Sequence, residues 1–179
     1  MKRIILAFFG VLVFVGCSQV EVGDYSGRKP LLQPEEFFNG HLSAHGVIKD
    51  RSGKVIRTFN ASIDASWQQG IGKLVEDFVF DDGDRQRRIW ILTPGDDGYY
   101  SATAGDVVGE ALLQVAGNTL FLDYVLRIPY GDDTVDVRVD DRMYLASPDI
   151  LINESSMSKF GVDVGSILLV ILRDPKPLA

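Results

Sequence analysis

The stretch TFNASIDASW, Thr58–Trp67, decides the fold. Phe59, Ala61, Ile63, Ala65 and Trp67 alternate with Thr58, Asn60, Ser62, Asp64 and Ser66. A period of two is that of a β-strand with one face buried and the other in water. Leu120, Leu122, Tyr124, Leu126 and Ile128 repeat it, as do Val135, Val137 and Val139 against Thr134, Asp136 and Arg138. Ile167 to Leu172 is apolar on both faces, as expected of a strand that closes or centres the sheet.

Turn signals separate these runs: Asp50-Arg51-Ser52-Gly53, Asp81-Asp82-Gly83-Asp84, Gly95-Asp96-Asp97-Gly98, Ala116-Gly117-Asn118 and Gly131-Asp132-Asp133. Asp-Gly and Gly-Asn pairs supply the positive φ angles that tight hairpins need. Hairpins in sequence make antiparallel neighbours, and about eight to ten strands in one domain must hide their edges. The expectation is an all-β, antiparallel up-and-down barrel, with a two-sheet β-sandwich as the alternative. Pro34-Glu35-Glu36-Phe37-Phe38-Asn39-Gly40 reads as one short helical turn before the strands. A barrel of this size either fills its interior with side chains or holds a small ligand.

The N-terminus carries an address. Met1, Lys2 and Arg3 precede an uncharged apolar run from Ile4 to Val15, too short for the ~20 residues of a spanning helix and right for a secretory signal peptide. Phe14-Val15-Gly16-Cys17 resembles the bacterial lipobox, in which the cysteine is acylated and becomes the new N-terminus. Phe14 departs from the usual leucine-like residue, and in the competing reading Cys17 is one more apolar residue of the leader. Ser18 resembles the outer-membrane sorting choice. Residues 1–16 are thus expected to be a lipoprotein signal peptide and 17–33 an acylated N-terminus and polar tether. Residues 34–173 would be the barrel and 174–179 a loose tail. The expected location is the bacterial cell envelope, anchored in the outer membrane and facing the periplasm.

Cys17 is the single cysteine, so the mature domain has no intramolecular disulfide. The chain holds 18 basic and 25 acidic residues, and loss of Lys2 and Arg3 takes its net charge from −7 to about −9. That balance excludes a basic footprint for nucleic acid. It also disfavours broad contact with anionic headgroups, leaving attachment to the anchor.

Catalytic and metal motifs are weak. His41 and His45 share a strand face but stand about 13 Å apart at ~3.3 Å per residue, so polar outer-face positions explain them better than a metal. Ser156-Met157-Ser158-Lys159 spells S-x-x-K, yet Gly161 follows at once and no S-D-N or K-T-G accompanies it. Asp81 to Asp84 lacks the alternate ligands and closing Glu of a calcium loop. No cofactor and no metal are expected.

One cluster is harder to dismiss. Across the Asp82-Gly83 turn, Glu76 and Asp77 come near Arg87 and Arg88. Arg88 and Trp90 share one face of the second strand, and Arg87 and Ile89 the other, so one arginine points inward. An inward arginine needs a carboxylate, with Glu76, Asp77 or Asp141 available. The cluster is either a structural ion-pair network or a cationic clamp for an acyl carboxylate or phosphate head at a barrel mouth.

Phe37-Phe38-x-Gly40, Asp50-Arg51-x-Gly53, Glu76-Asp77-Phe78, Asp82-Gly83, Arg87-Arg88-x-Trp90, Asp106-Val107-Val108-Gly109 and Met157-Ser158-Lys159-Phe160-Gly161 together resemble a bacterial family of small exported lipoproteins, domain of unknown function 3833. The similarity runs from about residue 25 to 173. The family is similar in strand pattern to lipocalin-like barrels, and the resemblance implies no activity. Members carry Trp where this chain has Arg142 and Arg where it has Glu154, an exchange that would fit a relocated ion pair.

Three functions follow as expectations. The leading one is a barrel that binds or shields a small apolar ligand such as a fatty-acyl or lipid species. Arg87, Arg88 and Lys159 would make the cationic contact, and Trp90, Tyr124 and Met157 would line the pocket. The others are a solid, non-enzymatic envelope interaction or assembly module, and, with no strong catalytic motif behind it, an enzyme acting on envelope lipid.

Overall fold

The computed structural model describes residues 20–173. The expected signal peptide, Cys17 and the tail at 174–179 lie outside the described residues.

Ten strands run in sequence: β1 (Gly40–Asp50), β2 (Val55–Gln68), β3 (Ile71–Phe80), β4 (Arg85–Pro94), β5 (Tyr99–Thr103), β6 (Ala111–Ala116), β7 (Thr119–Tyr130), β8 (Asp133–Ser147), β9 (Ile150–Lys159) and β10 (Val162–Arg173). Each pairs antiparallel with its sequence neighbours, and β10 pairs with β1, so the sheet closes on itself. Closure removes both edges, which a sandwich would leave exposed. Thr58–Trp67 lies inside β2, with Phe59, Ala61, Ile63 and Ala65 buried and their polar neighbours exposed, as its alternation requires. The doubly apolar Ile167 to Leu172 lies in β10, the closing strand.

One end of the barrel is plugged. α1 (Pro34–Phe37) starts on proline and lays Phe37 and Phe38 into the core, where they are 2% and 4% exposed. The Trp67 indole donates to the Phe38 carbonyl at 2.7 Å, and the Tyr100 hydroxyl donates to Glu35 at 2.6 Å. Leu32 is also buried, and a 3-10 turn at Val22–Tyr25 packs Tyr25 against Phe121 and Tyr144 on the outer wall. From Val22 onward, then, the stretch expected to be a free tether is laid on the barrel. Its few apolar residues escaped a periodicity search because they belong to no helix or strand.

At the other end no helix covers the opening among the described residues. Inward-facing Glu76, Phe78, Arg88, Leu126, Met157 and Leu169 keep partial solvent contact toward it, whereas Leu42, Ala102, Leu113 and Leu151 near the plug are buried. The barrel is therefore a cup with an apolar floor.

Candidate functional site

Register sets which side chains meet inside this cup. Glu76 on β3 stands opposite Arg88 on β4, Leu122 on β7 opposite Asp141 on β8, and Asp141 opposite Ser155 on β9. Even-numbered residues of β3 and β4 face inward, as buried Leu74, Trp90 and Leu92 show. Glu76 and Arg88 therefore enter the interior, while Asp77 and Arg87 turn to water.

Arg87, expected to be a ligand contact, is excluded from the interior by that alternation. Its Nε and Nη2 donate to Asp77 at 2.6 and 2.8 Å on the outer wall, where the hydrogen bonds from Arg87 hold the Asp77 carboxyl below its ordinary range. Arg88 is the inward arginine. Its direct partner is Asp106, in the connection between β5 and β6: Nε donates at 3.0 Å and Nη2 at 2.7 Å. Burial opposes the Arg88 charge, but Asp106, Tyr124 and Glu76 outweigh it, and the guanidinium stays protonated.

Glu76 and Asp141 make up the rest of the ionisable interior. Burial pushes Glu76 up to about 7, aided by repulsion from Asp141 and Asp106 and opposed by Arg88. Burial likewise pushes Asp141 up to about 6, against the favourable influence of Ser155, Tyr124, Arg88 and Asn153. Asp141 is only 6% exposed, and its Oδ1 receives no hydrogen bond of good geometry although Tyr124, Asn153 and Ser155 surround it. The Ser155 hydroxyl, on the strand opposite, donates to Asn153 at 3.0 Å. A buried acceptor without a donor costs about 1–3 kcal/mol, so this corner of the cup is short of a donor.

Trp90 meets Tyr124 edge to face across the barrel, ring centroids 5.4 Å apart. Phe59, Phe78 and Phe80 form an aromatic group nearer the mouth. Met157 lies on the inward face of β9, opposite Val139 on β8. Lys159 sits at the rim, 5.2 Å from the Phe160 ring centroid, and it bounds an outer hollow of about 400 Å³ with Asp136, Arg138 and Phe160. Of the sequence candidates, Arg88, Trp90, Tyr124, Met157, Glu76 and Asp141 thus share the interior. Arg87, Asp77 and Lys159 do not join them.

Other motifs resolve locally. Arg57 Nη2 donates to Asp82 at 2.8 Å and Asp84 at 3.0 Å, so an arginine holds the acidic turn. His41 pairs with Asp64 and His45 with Asn60 on the outer wall. Ser156 and Lys159 lie three residues apart in one strand, which puts them on opposite faces. No group of three or more metal-ligating side chains occurs among the described residues.

Sequence reasoning missed Asp106, Asn153 and Ser155. Asp106 was visible only within the Asp106-Val107-Val108-Gly109 element. Asn153 and Ser155 occupy inward positions of β9 and so break the alternation that would have marked them.

The sequence model of a family described as "Protein of unknown function (DUF3833)" matches residues 11–173. No curated protein matches the chain. Among solved structures, the S-type phycobiliprotein lyase CPES from Guillardia theta is similar with a TM-score of 0.61 at 13% identity, covering 88% of this chain and 100% of that one. At that identity the likeness is one of fold, and it agrees with the lipocalin-like expectation. The structure titled EF1p2_mFAP2b bound to DFHBI has a TM-score of 0.43 at 10% identity, covering 77% of this chain and 94% of that one, too distant to inform the fold or the site.

Proposed function

The chain belongs to the DUF3833 family, and we propose that this member is a non-enzymatic binding barrel for a small, largely apolar molecule, anchored in the bacterial outer membrane through an acylated Cys17. The observation that carries the reading is the interior itself. One end of the barrel is plugged, and inward residues at the other end keep partial solvent contact. The interior carries Arg88, Glu76 and Asp141, with Asp141 Oδ1 left without a partner. Burying two carboxylates and an arginine adds little to the stability of a side-chain-filled barrel.

The cluster supports a particular kind of head group. Arg88 is already engaged by Asp106, so it does not serve as a free clamp for a fatty-acid carboxylate. Asp141 Oδ1 is a buried acceptor without a donor, and Glu76 beside it has Trp90 as its hydrogen-bonding neighbour. The ligand is therefore an acyl-chain or lipid-like molecule whose polar end donates hydrogen bonds, such as a hydroxyl, amide or amine. The chain stacks among Phe78, Trp90, Met157 and Leu169, and the head meets Asp141 and Glu76.

The test is to purify the full-length protein from membranes, extract it with organic solvent and identify small molecules by mass spectrometry, with intact mass reporting acylation of Cys17. A donor-headed apolar species near one per chain is expected, and it should be depleted in Asp141→Leu but retained in Arg87→Ala. A preparation that carries no such species, and that binds no fluorescent apolar probe, would overturn the ligand reading. An unmodified Cys17 would overturn the anchor.

A further inference from the structure

β10 breaks the rule that its neighbours keep. The outward residues of β2 are Thr58, Asn60, Ser62, Asp64 and Ser66, and those of β8 include Asp136, Arg138, Asp140 and Arg142. The outer face of β10 presents Val164, Leu168, Val170 and Leu172 with one serine, Ser166, between them. Alongside, β9 adds Ile150 and Ile152. Leu168 and Ile152 are each 40% exposed, and the stripe ends at the hairpin tip with Val162 at 49% and Phe160 at 95%. Glu154 and Ser156 of β9 stand opposite Leu168 and Ser166. The apolar surface therefore centres on β10 and on the end of β9 at Ile150 and Ile152, and an exposed apolar patch on an otherwise polar wall marks an interaction surface.

Where the described chain begins indicates what covers the strip. The Val20 carbonyl accepts a hydrogen bond from Arg142 Nη1 at 3.0 Å, on the outer face of β8. β8 stands two strands from β10, or about 10 Å at ~4.8 Å per strand. Cys17 is three residues before Val20, a reach of about 10 Å at ~3.6 Å per residue. Acyl chains on Cys17 would thus enter a bilayer beside this wall.

The hollows along the strip carry charge of both signs. Lys49 and Arg142 with Asp140 and Glu154 border one of about 300 Å³, and Arg138 and Lys159 with Asp136 border the one beside Phe160. The apolar residues and the position of Val20 therefore carry the placement, and an aromatic at a hairpin tip suits the headgroup layer.

We propose that the outer wall of β9 and β10, from Phe160 to Ile150, lies on the surface of a lipid bilayer. Its orientation rests on the acylated Cys17 proposed above. The barrel lies on the membrane and does not cross it, because the polar outer faces of β2 and β8 have no place in hydrocarbon. The rim at Phe160 then brings the mouth of the cup beside the lipid, where an apolar ligand can enter without passing through water.

The test uses the full-length protein in vesicles of phosphatidylethanolamine and phosphatidylglycerol, with intact mass recording the state of Cys17. Leu168→Cys and Phe160→Cys carry an environment-sensitive fluorophore, and Thr93→Cys on β4, across the barrel from β9, is the reference. Quenching by spin-labelled lipid is expected to be several-fold stronger at 168 and 160 than at 93. Equal quenching at all three sites in vesicle-bound, acylated protein overturns the docking face and leaves the anchor standing. Preferential quenching in unacylated protein upholds the face and removes the anchor, whereas failure to bind vesicles overturns the face. A label at 168 that is shielded before vesicles are added, in a protein of dimer mass, assigns the strip to a second copy and also overturns the proposal.

Discussion

Arg88 and Asp106 are joined by a two-pronged ion pair that closes a gap in the barrel wall. β5 and β6 are five and six residues long, too short to carry the wall from β4 to β7 at the open end. The chain between them fills that space instead. The Asp106 carbonyl accepts from the Arg127 amide at 2.8 Å, and the Val108 amide donates to Val125 at 2.9 Å. Arg88 reaches across from β4 to the same aspartate.

Removing that aspartate should cost more than removing any outer-wall partner. Asp106→Ala strands the Arg88 guanidinium, whose side chain is 19% exposed. The expected loss is about 2 kcal/mol, the scale of hydrogen bonds to a charged group, reduced because Asp106 itself is 39% exposed. Arg87→Ala, on the solvent side, should cost less than about 1 kcal/mol. Arg88→Met combined with Asp106→Leu should recover most of the loss. Urea unfolding checks all three, and equal costs for Asp106→Ala and Arg87→Ala would refute the assignment.

Stability should carry a pH signature from the interior carboxyls. Glu76 rises from 4.5 to about 7 on folding and Asp141 from 3.8 to about 6. A carboxyl with a raised folded-state value binds its proton more tightly in the native protein. Its contribution is fully present below the unfolded value and is lost as pH rises through the folded one. Outer carboxyls such as Asp77 and Asp136, lowered by hydrogen bonds from arginines, act oppositely, losing their contribution as pH falls. The difference between Glu76→Gln and the unaltered protein isolates the interior group. It should favour the variant increasingly between about pH 4.5 and 7, by up to roughly 3 kcal/mol. A pH-independent difference would show that the interior does not desolvate the Glu76 carboxyl.

The sequence disclosed the barrel better than it disclosed the cup's contents. Alternation in β2, β7 and β8 depends on each strand alone, so inside and outside could be read from single runs, including which of Arg87 and Arg88 shares a face with Trp90. Partnership inside a closed sheet depends on strands far apart in sequence. Asp106 meets Arg88 only because β5 and β6 are short, and Asp141 meets Ser155 only through the β8–β9 register. The exchange at positions 142 and 154 shows the same limit. These residues are direct cross-strand neighbours, yet Arg142 bonds Asp140 on its own strand and stacks over Phe121. The doubly apolar β10 was legible as a closing strand, but its sequence could not say that its outer face is left uncovered.

A ligand in the cup should report through one of the two tryptophans. Trp90 faces Tyr124 in the interior, while Trp67 is held by the Phe38 carbonyl under the plug. Binding of a hydroxyl-headed acyl probe should change fluorescence in the unaltered protein and in Trp67→Phe. Trp90→Phe should remove the response while the probe still binds, as followed by its own emission. A response that survives Trp90→Phe and vanishes in Trp67→Phe would move the site to the plugged end.

The N-terminal strap gives a sharp test of how the outer wall is assembled. Gly117, at φ +58°, turns β6 into β7 directly beneath residues 25–32. A Cβ there would run into the Tyr25 carbonyl, and the Gly117 carbonyl accepts the Leu32 amide at 2.8 Å. Gly117→Ala should therefore lift the strap as well as strain the turn. Gly131→Ala is the control, since it has the same backbone conformation, φ +61°, and open space around the added methyl. It should cost only the left-handed conformation, about 1 kcal/mol. Tyr144 supplies a readout specific to the strap. Burial first, and the Tyr25 hydroxyl second, push its phenol up to about 12. In Gly117→Ala that value should fall toward 10, and trypsin should cut faster after Arg28. If Gly131→Ala produced the same two changes, turn strain alone would account for them, and Tyr25 would have no special hold on the wall.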